Sequence, residues 1–167
     1  MGTHCAGKTT LAKALSRELN LPLVSEAATN VPKERWSSVG GQIDILMNQI
    51  KSELPYAQFV SDRTVIDNWA YYDYWARKKG SSRVLDHNVF TFVDRYMSRG
   101  RYTWIFFVDE YFDLVDNGHR DLDPEQQVFV FDSLQERYGW MKHCEMQVAK
   151  VRGSTEERMN QILGYLG

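Results

Sequence analysis

The chain has 167 residues, of which 43% are apolar and 25% charged, with a formal net charge of −2. That length fits one domain with a sizeable core, and the near-neutral balance argues against the bulk positive field of a general nucleic-acid coat. Cys5 and Cys144, the two cysteines, give no disulfide framework, so a reducing, cytoplasmic setting is the default. No apolar run approaches the roughly 20 residues needed to cross a bilayer, and no signal-peptide core opens the chain.

In chain order, Leu11, Ala14, Leu15 and Leu19 recur at helical spacing until Asn20 and Pro22 stop them. Leu23 to Ser25 is a short strand candidate. Trp36, Val39, Ile43, Leu46, Met47, Ile50 and Leu54 form a long helical stripe, which Gly40-Gly41 is expected to weaken or bend in its middle. Phe59 to Ser61 reads as a strand, and the helix after it carries Trp69, Tyr72 and Ala76. Leu85, Val89, Phe92, Val93, Tyr96 and Met97 give another amphipathic helix. Arg77, Lys78, Lys79 and Arg83 between the two read as a solvated helix end and loop rather than a basic groove.

Thr103 to Val108 is the clearest strand, a continuous apolar run of the kind a sheet buries on both faces. Asp123 caps a helix that has Pro124 first and Gln126 three residues after the cap. Glu145 to Val151 is a last strand. Ser154 and Glu157 then form a capping box ahead of Met159, Ile162, Leu163 and Leu166. Strands alternating with helices predict an α/β fold: one domain over 1–167, three layers, with a parallel sheet flanked by helices.

Gly2-Thr3-His4-Cys5-Ala6-Gly7-Lys8-Thr9 fits G-x-x-x-x-G-K-[ST] and runs straight into a helical pattern. Each fixed residue has a chemical reason. The glycines let successive N–H groups curl around a phosphate, and the helix after Gly7 aims its positive end at the same anion. Lys8 reaches the β- and γ-phosphates, and the Thr9 hydroxyl ligates Mg²⁺. ATP and Mg²⁺ are therefore the expected cofactors, with Gly2 through Thr10 as the nucleotide cradle. Only Met1 precedes Gly2, so the buried strand that normally leads into such a P-loop is missing from this chain. A loosely held loop with weak ATP affinity is the expectation.

With the P-loop, Glu26-Ala27-Ala28, Asp62-Arg63-Thr64-Val65-Ile66-Asp67, Asn117 to Asp121 and Arg152 to Arg158 in that order, the chain resembles the P-loop nucleoside and nucleotide kinase superfamily. It is most similar to AAA-like kinase domains such as the ribosylnicotinamide kinase domain of NAD-biosynthesis regulators. The resemblance implies a phosphotransferase moving the γ-phosphate of ATP to a nucleoside, a nucleotide or a modified base within DNA. It also implies roles by position. Asp62 touches the metal shell or takes the proton of the attacking hydroxyl, and Arg63 grips phosphate. Glu26 and Asp67 hold substrate hydroxyls. A lid at about 110–124 brings Arg120 over the phosphates, and the loop at Arg152 contacts adenine.

Trp104 to Glu110 supports a rival. An apolar run ending in Asp-Glu has the form of a Walker B strand, in which Asp109 holds Mg²⁺ and Glu110 activates water for ATP hydrolysis. His4-Cys5 with His143-Cys144 resembles a zinc set only superficially, because adjacent residues rarely face one ion. Trp69, Tyr71, Tyr72, Tyr74 and Trp75 are bunched as helix packing, with Tyr71 or Tyr74 able to line a substrate pocket.

Overall fold

The computed structural model describes residues 1–3, 5–111 and 123–167. Among these residues, six helices and four short strands follow the order the sequence patterns indicate, with α3 and α4 consecutive. They are α1 (Lys8–Glu18), β1 (Leu23–Val24), α2 (Val39–Glu53), β2 (Val60–Ser61), α3 (Val65–Lys79), α4 (Arg83–Ser98), β3 (Ile105–Val108), α5 (Pro124–His143), β4 (Val148–Val151) and α6 (Thr155–Leu166). Two single 3-10 turns, Ala27–Asn30 and Lys33–Arg35, fill the stretch between β1 and α2.

The helix starts follow local chemistry. Ser38, Thr64, Ser82, Asp123 and Ser154 each accept a backbone N–H of the first turn. Thr64 with Asp67, and Ser154 with Glu157, close full capping boxes. The expected bend at Gly40-Gly41 does not occur. Both glycines lie in the first turn of α2, behind its Ser38 cap. A side chain on Gly41 would sit 1.8 Å from the Arg35 carbonyl oxygen, so the turn before α2 packs directly on this residue.

The parallel sheet is split. β1 pairs with β2 in the register Leu23–Val60 and Val24–Ser61. β3 pairs with β4 from Ile105–Val148 to Val108–Val151. Between the pairs lies Met1, whose α-amino group donates to the Phe106 carbonyl (2.6 Å) and whose carbonyl accepts the Val108 N–H (3.0 Å). A groove of about 290 Å³ separates β2 from β3, floored by Leu11 and Leu15 of α1 and Ile162 of α6. The loop's entry is nonetheless tied down, against the sequence expectation: Met1 is 7% exposed and the Gly2 N–H donates to Asp67 (2.8 Å).

Buried apolar residues among those described form three clusters: a small one of Ala27, Ala28, Val31 and Ile45 beside Trp36, and two larger ones. The largest joins α2, α3, α4 and α5 to β3 through residues such as Tyr72, Val93, Phe107 and Leu134. The second joins α1, α6 and β4 beneath the phosphate loop through Ala6, Leu11, Leu15, Val151 and Ile162. Among the described residues, no helix is long and apolar enough to cross a membrane.

Candidate functional site

The Gly2–Thr9 segment is built as the motif requires. Gly7 takes φ 74°, a left-handed conformation that costs glycine nothing, and forms the N-cap of α1. Cys5 also stands at a left-handed φ of 53°. The chain thus turns sharply into α1 and presents Cys5 through Thr10 to one cavity of about 750 Å³. The positive end of α1 points into that cavity. His4 lies outside the described residues.

Lys8 is the first residue of α1, and its ammonium donates back to the Thr3 carbonyl of its own loop. Burial, then the neighbouring Arg63, lowers its pKa from 10.5 to about 8, against the pull of Asp67, Asp62 and Glu26. Next to it the Thr9 hydroxyl donates to Asp62 Oδ2 (2.7 Å), while Asp62 Oδ1 is buried with no hydrogen-bond partner among the described residues. A hydroxyl beside a carboxylate with one uncommitted oxygen is a hard-oxygen donor set that fits Mg²⁺. No group of three or more His, Cys, Asp or Glu among the described residues could hold a metal on its own.

Arg63 is 6% exposed and bonds Glu26 Oε1 at 2.6 Å, with its guanidinium 4.9 Å from the centre of the Tyr71 ring. Both members of this pair line the cavity. The far wall was not foreseen as a whole. Trp36, Tyr71 and Trp75 supply aromatic surface, and Gln42 and Asn68 supply side-chain amides. Asn68 is 2% exposed, and its amide nitrogen has no hydrogen-bond partner among the described residues. Of these, the sequence marks only Tyr71 for a pocket; Asn68, on α3, lies five residues after Arg63, a spacing no motif announces.

Two expected ligands face elsewhere. Asp67 is fully buried and spends Oδ1 on the Gly2 N–H and Oδ2 on Thr64. Burial alone would raise its pKa, but the Met1 ammonium, Lys8 and Arg63 hold it below the usual carboxylate range. Asp67 therefore braces the phosphate loop and is absent from the cavity wall. Arg152 is also absent from that wall; its guanidinium pairs with Asp109. Arg120 and the expected lid core from Asn117 to Asp121 lie outside the described residues.

Asp109 itself is fully committed. Oδ1 takes Gln135 (2.6 Å) and Lys150 (3.1 Å), and Oδ2 takes Arg152. Glu110 Oε1 accepts the Gly153 N–H and Arg158 Nη2 (2.6 Å each). This is the environment of a structural network rather than of a metal-binding and water-activating pair.

A family model described as an AAA domain matches residues 1–158. The chain belongs to that family. No curated protein sequence matches the chain. Among solved structures, the deoxyadenosine kinase of M. mycoides with bound dCTP is similar at a TM-score of 0.73 and 15% identity, covering 99% of this chain and 96% of that one. The same kinase with dATP gives 0.70 and 14%, with the same coverages. With products dCMP and a flexible dCDP it gives 0.74 and 16%, covering 99% and 95%. This AAA-domain chain therefore shares the P-loop α/β fold of those kinases over nearly its whole length.

Proposed function

We propose that the protein is an ATP-dependent kinase that phosphorylates a hydroxyl of a nucleoside-like acceptor. One observation carries this: a single cavity joins the phosphate loop to an aromatic, amide-bearing wall, with the Glu26–Arg63 pair within it. A hydrolase needs room for water; this cavity has room for a planar second substrate. The fold likeness to deoxyadenosine kinases supports the same reading.

In this mechanism the loop N–H groups and Lys8 hold the donor phosphates. Thr9 and Asp62 would hold Mg²⁺, which supplies charge neutralisation at the transferring phosphoryl. Trp36, Tyr71 and Trp75 enclose the acceptor ring, and Glu26 orients its hydroxyl. As that oxygen bonds the γ-phosphorus, the bridging P–O bond breaks with its electrons going to ADP, and the hydroxyl proton passes to Glu26. Arg63 fixes Glu26 and balances charge on the transferred group. Arg120 closing over the phosphates from a lid at about 110–124 belongs to the same proposal, as does a cytoplasmic setting. Asp109–Glu110 chemistry as an ATPase is the weaker alternative, because Asp109 already serves three partners.

The test is ADP formation from ATP and Mg²⁺, with and without a panel of nucleosides, nucleoside monophosphates, ribosylnicotinamide and hydroxymethylated DNA. Turnover that depends on an acceptor supports the kinase. Equal turnover without one moves the assignment to hydrolysis.

A further inference from the structure

Arg158 lies on the apolar stripe of α6, one turn before Ile162, and is 2% exposed. Nothing in the catalytic proposal uses it. A guanidinium is rarely buried unless its donors are spent on something specific. Here Nη1 donates to the Ala6 carbonyl of the phosphate loop (2.6 Å) and Nη2 to Glu110 Oε1 (2.6 Å). The same Glu110 oxygen accepts the Gly153 N–H from the turn after β4 (2.6 Å). Arg158 and the Gly153 N–H together hold the Glu110 carboxyl below its ordinary range.

We propose that Arg158 is a positioning residue for phosphate binding, setting the Ala6–Gly7 peptide from behind while Glu110 holds the guanidinium in place. A trans peptide points its C=O and its following N–H in opposite directions. Pinning the Ala6 carbonyl toward α6 therefore turns the Gly7 N–H the other way, toward the cavity that Ala6 and Gly7 line. Gly7 stands at φ 74°, and a side chain there would come within 3.1 Å of Arg158 Nη1. The guanidinium thus also fills the space that a larger residue at the loop's last turn would need. A lysine has one nitrogen and cannot span Ala6 and Glu110 in a fixed fork. Donors that bind anions well are those already aimed before the anion arrives.

The inference rests on the kinase reading, and its test separates the two. ATP, adenosine and inorganic tripolyphosphate are titrated into the wild-type protein and into Arg158→Ala, Arg158→Lys and Glu110→Gln, with a thermal melt of each. Arg158→Ala is expected to weaken ATP and tripolyphosphate by roughly 10- to 100-fold, the span of one lost charge-assisted bond, and to leave adenosine unchanged. Millimolar guanidinium should restore part of the loss in Arg158→Ala and none in Arg158→Lys. Glu110→Gln, altered at a half-exposed site outside the core, should show a smaller loss with the same selectivity even where Arg158→Ala fails to fold. A purely structural role would lower the melting temperature and weaken ATP and adenosine alike, overturning the inference. Wild-type protein that binds neither ATP nor tripolyphosphate sinks the kinase reading and this inference together. Wild-type protein that binds both, with Glu110→Gln and Arg158→Lys binding equally well, sinks the inference alone.

Discussion

At the scale of single residues, the chemistry concentrates on Lys8 and Asp62. The folded-state pKa of Lys8 is about 8, below its ordinary 10.5. Between those values the unfolded chain binds more protons, so the Lys8 contribution to stability rises with pH across that window. Phosphate beside Lys8 restores its proton, so nucleotide binding above pH 8 should take up a proton and weaken as pH climbs. Calorimetric titrations at pH 9 in buffers of different ionisation heat should detect that uptake, and Lys8→Met should abolish it. Asp62 and Asp109 separate the two enzymatic readings. Asp62→Asn should cut acceptor-dependent transfer by about 10²-fold or more, whereas Asp109→Asn should mainly lower the melting temperature by breaking its bonds to Gln135, Lys150 and Arg152. The reverse ranking of activities would favour hydrolysis at Asp109.

At the scale of elements, neighbouring glycines of α2 should respond with opposite signs. Gly41 faces the Arg35 carbonyl oxygen at 1.8 Å from where a Cβ would stand, and Gly40 has nothing closer than 3.8 Å. Gly41→Ala must push the Lys33–Arg35 turn aside, costing about 1–3 kcal/mol, and should disturb the cavity wall through adjacent Gln42. Gly40→Ala is expected to stabilise by about 0.5–1 kcal/mol through helix propensity. Chemical denaturation of the two variants side by side checks this. The same pair marks a limit of sequence reading: two glycines in an apolar stripe announce a weak helix, and only a packed turn reveals which one is required. The P-loop, the Asp62-Arg63 pair and the caps at Asp123 and Ser154 were legible because local hydrogen bonding or phosphate geometry dictates them. The role of Asp67 was not, since a capping carboxylate and a substrate ligand occupy the same place after a strand. Arg158 did leave a signal, a charge within the stripe that continues at Ile162, but its partner Ala6 lies 152 residues away.

At the scale of the molecule, the two larger apolar clusters should carry separable burdens. Leu134 is fully buried in the larger cluster, and Ile162 is 1% exposed in the smaller one beneath Ala6. Leu134→Ala and Ile162→Ala should each cost about 2–5 kcal/mol of stability. Only Ile162→Ala should also reduce ATP affinity, because its cavity opens under the phosphate loop. Comparable affinity losses in both variants would mean the clusters act as one. The sheet's division was beyond sequence reading for a related reason. Strand patterns gave the apolar runs from Thr103 and Glu145, but paired residues begin only at Ile105 and Val148, and pairing partners depend on packing that no run of residues encodes.

That division has a consequence in time. β1 and β2 share two residue pairs and β3 and β4 share four, with Met1 on the β3 side of the groove. The β1–β2 ladder holds few backbone bonds, so β1 can part from β2 while β3–β4 stays closed around Phe107 and Val151, both fully buried. Amide hydrogen exchange should register this as two clocks: Val60 and Asp62 exchanging through partial opening, Ile105 and Asp109 only through complete unfolding. Glu26 and Asp62 stand on the faster edge, while the Lys8 ammonium is held by the Thr3 carbonyl of the loop that Met1 ties to β3. Bound nucleotide, by gripping Lys8 and Asp62 together, would bring the two clocks to the same rate.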